Sequence, residues 1–237
     1  MATILELTNN VLPEIGLPKL TSLVGNNNQT ALRTLALANR EGRALSKLPW
    51  RALAKRNVIT TASSAEAYAL PNDFSYFVDR TFWNDSNDEF MEGPLSDERW
   101  QADVSGLLTV TVNDRFQIRA DGNENRLHIR PVPTSAENIT FFYMSNGWCR
   151  SNGGNRQTEW KADTDVFLLD EYVFELGIKW RILQAQRRDF QFEINEYDRE
   201  RNKAVARDGG MKTHRILGPV EQDFPPSGNI PETGFGS

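Results

Sequence analysis

The pattern of apolar and polar positions divides the chain into helical segments at both ends and strand-like segments in the middle. Apolar residues recur at steps of three and four in residues 28–47 and in residues 164–207, which places them on one face of an α-helix. The second stretch predicts either one long helix or two helices joined near Gly177 or Asp189. Between the two stretches, from Asn57 to about residue 160, short β-branched and aromatic runs alternate with turn residues, as is typical of β-strands.

Capping residues mark the expected helix ends. Thr3 and Glu6 have the spacing of a capping box, which predicts a short helix at the start of the chain. The asparagines at 26–28 can cap the second helix, and the residues at 163–165 are candidate caps for the long helical stretch. The glycines at 209–210 are typical of a helix C-terminus.

The middle of the chain should contain antiparallel strands. The sequence DGNEN is rich in residues that accept a positive φ and predicts a β-hairpin. Residues 94–103 predict one helical turn, and residues 146–156 a flexible loop with its own aromatic anchor. The expected strands lie at 57–61, 66–70, 75–83, 107–112, 115–119, 126–130 and 138–145.

Aromatic residues should form the core of this strand region. Leu70-Pro71 breaks any helix and turns the chain into a strand, after which Phe74, Phe77 and Trp83 follow closely. The sequence ITFFYM indicates a buried strand, so Phe142 is expected in the same core.

These elements predict an α+β protein in which an α-helical bundle carries an inserted antiparallel β-domain. Residues 1–56 and 161–210 should form the helical, ring-forming domain, and residues 57–160 the inserted β-domain. Residues 211–237 are rich in proline and glycine and have no periodic pattern, so we expect an extended C-terminal tail.

Composition excludes several classes of protein. The 237 residues carry a formal net charge of −5, whereas a protein that reads DNA sequence normally presents a basic face. The single cysteine, Cys149, cannot form an intramolecular disulfide and is expected to be a buried structural thiol. We expect neither a signal peptide nor a membrane span, because the sequence has no basic leader and no apolar run of sufficient length.

Motifs for catalysis or metal binding are absent from the sequence. The two histidines, His128 and His214, are too far apart in sequence to suggest a zinc site. Segments starting at Asp85 and Asp121 imitate a calcium loop but lack its glycine and its glutamate. We therefore expect no cofactor and no metal.

Two alternative functions remain open at this point. Asp163 with Asp165, or Asp79 with Asp85, could serve as the carboxylate pair of a hydrolase, although solvated helix caps explain them more simply. A β-sandwich module could bind carbohydrate, because exposed Trp and Tyr rings stack on sugars.

An ordered set of segments resembles the head-to-tail adaptor family of tailed bacteriophages. The set starts with LTNNVLPEIGLPKL and LALANREGRALSKLPWRAL and continues with YALPNDF, Trp83 and GPLSDERW. It ends with FQIRADGNENRLHIRPVP, ITFFYMSNGW and DTDVFLLDEYVFELGIKWRI. The resemblance spans roughly residues 3 to 207 and is to tail tubular protein A-like connectors and head-completion proteins of short-tailed phages.

The resemblance implies a structural virion protein without enzymatic activity. Family members are expected to form a ring of about twelve copies, and such a ring needs two different complementary faces on each copy. The implied partners are the portal protein, a tail nozzle or tail tube protein, and double-stranded DNA that passes without sequence recognition. The implied location is the head–tail junction of the virion, after assembly in the host cytoplasm.

The tail is the expected docking segment for the portal or for a neighbouring copy. It combines prolines and glycines with scattered apolar residues, which suggests a strap that becomes ordered on a partner. The candidate docking residues are Ile216, Leu217, Val220, Phe224, Ile230 and Phe235.

Overall fold

A computed structural model describes residues 1–106, 114–122 and 124–209, and in these ranges the protein is a mixed α+β structure. Its helices are α1 (Ile4–Glu14), α2 (Gln29–Leu45), α3 (Asp97–Val104), α4 (Glu171–Ala185) and α5 (Gln191–Gly209), with a 3₁₀ turn at Arg51–Leu53. Its longer strands are β1 (Ala54–Thr60), β2 (Ala67–Ala69), β3 (Phe74–Phe77), β6 (Arg115–Asp121), β7 (Glu124–Arg130) and β8 (Asn138–Ser145). Two-residue strands are β4 (Trp83–Asn84), β5 (Glu89–Phe90), β9 (Cys149–Arg150), β10 (Arg156–Gln157) and β11 (Val166–Phe167).

Helix capping follows the sequence at α1 and α2 but not at α4. The Thr3 hydroxyl accepts from the Glu6 amide, and the Glu6 carboxylate accepts from the Thr3 amide at 2.8 Å, so the predicted capping box is confirmed. Asn28 caps α2 by accepting from the amide of Thr30 at 2.8 Å. The expected caps at 163–165 are wrong, because those residues precede β11 and the N-cap of α4 is Asp170.

Two helices occupy the long C-terminal stretch, and the break lies near Asp189. α4 ends at Ala185, and Arg187 has a positive φ of 58° in the turn before α5. Gly177 lies inside α4 and serves a different purpose. A Cβ atom at this position would overlap the carboxylate of Glu41 on α2, so the glycine allows close approach of the two helices.

The strands of the described residues form three antiparallel sheets. In the first, β8 is central, with β1 on one side and β3 and β4 on the other; β5 extends this sheet beyond β4. The second has the order β2-β7-β6, and its β6–β7 pair is the predicted hairpin, with Asp121 opposite Glu124. The third has the order β10-β9-β11.

Several predicted boundaries change in the structure. The expected strand at 75–83 is two strands, β3 and β4, separated by a turn in which Arg80 has a φ of 59°. The expected loop at 146–156 contains β9, and the side chain of Trp148 in it is fully buried. The helical turn at 94–103 is confirmed as α3, and the expected strand at 107–112 lies outside the described residues.

Most of the buried apolar side chains in the described residues form two clusters. The helical cluster contains α1, α2, α4 and α5 residues together with Cys149 and Phe167 of the third sheet and Trp148, which precedes β9. The sheet cluster lies between the first and second sheets and contains Tyr68, Phe82, Met91, Phe116, Leu127, Ile129, Ile139, Phe141 and Tyr143. Strand β8 contributes to both, because Met144 belongs to the helical cluster.

The aromatic core differs from the sequence-based expectation at Phe142. Phe74 and Phe77 pack against the sheet cluster as expected. Phe142 is 43% exposed, so its assignment to the core is wrong. Side chains alternate between the two faces of a strand, and the neighbouring Phe141 occupies the buried face. Trp83 is half-buried and packs edge-on against Phe90.

Candidate interaction surfaces

Asp163 and Asp165 hold backbone amides rather than forming a catalytic pair. The Oδ1 atom of Asp163 accepts from the amides of Leu23 and Val24, at 3.0 and 2.7 Å. The buried carboxylate of Asp165 accepts from the amides of Lys161 and Ala162 at 2.8 and 3.0 Å. These contacts fix the loop before α2 and the turn before β11.

Asp79 and Asp85 also have separate surroundings. Asp85 accepts hydrogen bonds from the Arg56 guanidinium, at 3.3 Å, and from the Thr140 hydroxyl. Asp79 is exposed in the turn after β3. The structure therefore assigns Asp85 to an ion pair on the outer surface of the first sheet.

The histidine and cysteine candidates are structural where they are described. His128 lies on β7, with its ring perpendicular to that of Trp100, and His214 lies outside the described residues. Cys149 is buried, and burial raises the pKa of its thiol to about 12. Within residues 1–106, 114–122 and 124–209, His, Cys, Asp and Glu side chains nowhere converge in a group of three that could hold a metal ion.

Most tryptophan rings are not available for stacking on a sugar. Trp50, Trp100, Trp148, Trp160 and Trp180 are buried, and only Trp83 is half-exposed. In the part of the chain that the structure describes, the exposed aromatic rings are Tyr76, Phe142, Tyr172 and Phe192, which lie on separate strands and helices.

A polar network centred on Asp73 was not anticipated from the sequence. Lys55 donates to its carboxylate at 2.9 Å, Tyr143 at 2.7 Å and Ser145 at 2.8 Å. Burial alone would raise the pKa of Asp73, but these three donors outweigh it and lower the pKa. The network ties β1 and β8 to the turn that precedes β3.

We expect Asp73→Asn to lower the free energy of unfolding by about 1.5–3 kcal/mol at neutral pH, because it removes hydrogen bonds to a charged group. The pKa of Asp73 is lower in the folded than in the unfolded chain. Its contribution is therefore present above about pH 4 and is lost as the pH falls through the lowered value. Urea unfolding of both proteins between about pH 3 and pH 7 should show a difference that shrinks in acid.

The matched control is Asp79→Asn, which changes an exposed aspartate six positions away. It should shift stability by less than about 0.5 kcal/mol at every pH. A difference between wild type and Asp73→Asn that does not change with pH would contradict the assigned role of the network.

One side of α2, together with the turn that follows it, is a basic face, which we define as Arg33, Arg40, Arg43 and Lys47. All four side chains are exposed, and a helical period of 3.6 residues places the three arginines on one side of the helix, while Lys47 lies in the turn after Leu45. Glu41 is the one acidic residue of α2, and it is buried on the other side, against α4. The regular spacing of the four cations is a signal that the sequence already contained.

An acidic face, which we define as Glu14, Glu171, Glu175, Glu193 and Glu196, extends over α1, α4 and α5. Its nearby cations are Lys179, 2.9 Å from Glu14, and the amino group of Met1, 3.9 Å from Glu171. Burial raises the pKa of Glu175, and the charges of Glu14 and Glu171 raise it further. This face could not be recognised from the sequence, because its five glutamates come from three helices that are far apart along the chain.

The docking residues expected from the sequence belong to the C-terminal tail. Ile216, Leu217, Val220, Phe224, Ile230 and Phe235 all lie outside the described residues. In the part of the chain that the structure describes, no helix is long and apolar enough to cross a membrane.

Comparison with protein families identifies the kind of protein. The model of the SU10 adaptor protein family matches residues 2–220. The chain belongs to this family. Membership of the SU10 adaptor family confirms the resemblance to phage head-to-tail adaptors and implies a structural virion component rather than an enzyme. No curated protein matches the chain at a significant level.

Proposed function

We propose that the chain is a head-to-tail adaptor that forms a closed ring beneath the portal, joins the capsid to the tail and continues the DNA channel. The observation that carries this proposal is the family match over residues 2–220. A ring of about twelve copies would be built from heterologous contacts between neighbours. Its partners would be the portal protein and a tail nozzle or tail tube protein, in a virion assembled in the host cytoplasm.

We propose that successive segments of the chain form structural units with different roles. Residues 1–56 and 161–210 form a ring-building helical bundle, and residues 57–160 form an inserted antiparallel β-domain. The separate helical and sheet clusters support this division. Trp148, Cys149 and Trp160 pack in the helical cluster, so the end of the β-domain adheres to the bundle.

DNA would pass through the ring, during packaging and ejection, without being read. The net charge of −5 favours a lumen that does not hold phosphates tightly, because tight binding requires clustered Lys and Arg. Sequence-selective DNA binding at nanomolar concentration and physiological salt would contradict this part of the proposal.

Electron microscopy of the purified protein, alone and mixed with portal rings, tests the proposal. We expect rings, at least in the presence of portal, and a particle mass many times the 26.9 kDa of one chain. A protein that remains monomeric alone and with portal would contradict it and would favour a small ligand-binding module.

We further propose that the tail, residues 211–237, is the docking arm. Its apolar residues Ile216, Leu217, Val220, Phe224, Ile230 and Phe235 would anchor it on the portal or on an adjacent copy. A strap of this kind loses conformational entropy only when it binds, and its prolines reduce that loss.

Truncation after Gly210 should therefore leave a folded protein that binds portal rings poorly. Co-sedimentation of full-length and truncated protein with portal measures the difference, and circular dichroism shows whether the helices are retained. A variant in which Phe224 and Phe235 are replaced by serine separates the apolar anchors from mere tail length. Equal binding by all three proteins would assign docking to the helices instead.

A further inference from the structure

We propose that the basic face of α2 in one copy binds the acidic face of α1, α4 and α5 in the next copy. The inference deepens the proposed function, since it rests on self-association in a ring and names the surfaces that perform it. The occupant of each face is thus a second copy of this chain.

The two faces lie on opposite sides of the same layer of helices. α2 contacts α4 through Glu41, which approaches Gly177 and forms an ion pair with Arg181 at 2.5 Å. On α4, residues 177 and 181 lie about half a turn away from 175 and 179, because successive residues rotate by about 100°. Lys179 and the acidic face therefore point away from α2.

The basic face points away from α4 for the same geometrical reason. Glu41 is buried against α4 and Gly42 against the ring of Trp148, whereas Arg33, Arg40 and Arg43 are exposed on the other side of α2. The faces cannot meet within one copy. Surfaces that are complementary but differ in position join copies head to tail, which is the arrangement that closes into rings.

Charge favours this pairing. The basic face has four cations. The five glutamates of the acidic face outnumber their nearby cations. The hydrogen bond with Glu14 raises the pKa of Lys179, and Glu193 and Glu196 raise it further, as expected in a negative local potential. Complementary potentials steer association and suppress wrong partners.

Exposed apolar side chains favour a protein as the occupant over nucleic acid. Leu32 is 52% exposed beside Arg33, at the edge of the basic face. Tyr172 and Phe192, which are 51% and 75% exposed, lie next to Glu171 and Glu193 of the acidic face. Protein interfaces are enriched in aromatic residues, whereas phosphate binding would use the cations alone and leave the acidic face without a partner.

Two charge-reversal variants test the interface. Replacing Arg33, Arg40 and Arg43 by glutamate changes the charge of the basic face from +4 to −2, and replacing Glu14, Glu193 and Glu196 by lysine changes the charge of the acidic face from −5 to +1. Each variant then presents like charges to its own neighbours, so self-association measured by sedimentation velocity should weaken by about tenfold or more. The control, Arg80→Glu with Arg119→Glu, reverses exposed cations in the strand region and should associate as the wild type does.

Mixing the two variants in equal amounts gives the decisive result. Each reversed face then meets an opposite charge on the other variant, so assembly should return, and it should weaken again as added salt screens the pairs. The variant carrying all six substitutions should also assemble. Circular dichroism identifies any loss caused by misfolding, and rescue in the mixture is not possible for an unfolded partner.

The outcomes separate the interface from the proposed function. A wild type that assembles, with both variants assembling equally well, overturns the interface and leaves the ring intact. Loss of duplex DNA binding in the Arg33→Glu, Arg40→Glu, Arg43→Glu variant with self-association unchanged overturns it in favour of a phosphate partner. A wild type that stays monomeric alone and on portal rings overturns the proposed function together with the interface.

Discussion

Glu41→Ala is expected to lower the free energy of unfolding by about 3–5 kcal/mol, since it leaves Arg181 buried without its partner. The Glu41 side chain has no exposed surface, and its carboxylate binds the Arg181 guanidinium at 2.5 Å between α2 and α4. Burial raises the pKa of Tyr197, on α5, and the neighbouring Glu41 charge raises it further. Three helices thus meet around this carboxylate. Urea unfolding followed by circular dichroism measures the loss.

Glu14→Ala is the matched control, because Glu14 also pairs with a cation of α4, Lys179, but is largely exposed. It should cost less than about 1 kcal/mol. Replacing both Glu41 and Arg181 by methionine should restore most of the stability, since apolar residues of similar volume can replace a buried ion pair. Equal effects of Glu41→Ala and Glu14→Ala would show that the buried pair is not important for stability.

Phe141→Ala should cost about 3–5 kcal/mol, whereas Phe142→Ala should cost less than about 1 kcal/mol. The two residues are adjacent on β8 and identical in chemistry, and they differ in the face of the sheet that they occupy. Phe141 is fully buried and stacks on Phe82 with ring centroids 4.5 Å apart, and Phe142 lies on the opposite, exposed face.

Thermal and urea unfolding of the two variants give the comparison directly. Strand propensity, chain position and substituted volume are the same in both, so the difference reports burial alone. If Phe142→Ala were the more destabilising of the two, the register of β8 against β1 would have to be shifted by one residue.

Local signals in the sequence predicted the elements that depend on neighbouring residues. These elements form their hydrogen bonds within a few residues of one another. Examples are the capping box of Thr3 and Glu6, the Asn28 cap of α2 and the DGNEN hairpin. The break near Asp189 could be proposed, but choosing it over Gly177 required knowledge that Glu41 fills the space beside that glycine.

Contacts between distant segments could not be predicted in the same way. Asp163 binds an amide 140 residues away and Asp73 a hydroxyl 70 residues away, and nothing in the local sequence marks either partner. The two-residue strand β9 is too short to show a period. The continuous run FFYM conceals the alternation that exposes Phe142, because both faces of β8 carry apolar residues.

Strand β8 belongs to both hydrophobic clusters, and this fixes more than the sheet. Sliding the strand by one residue would expose Phe141 and Tyr143 and, at the same time, withdraw Met144 from the helices. The alignment of the sheet and the placement of the helices relative to it are therefore set by the same eight residues. A change at one surface of the protein therefore cannot shift the register of β8 by one residue without also displacing the helices. In the adaptor, strand β8 couples the register of the first sheet to the packing of the helical cluster.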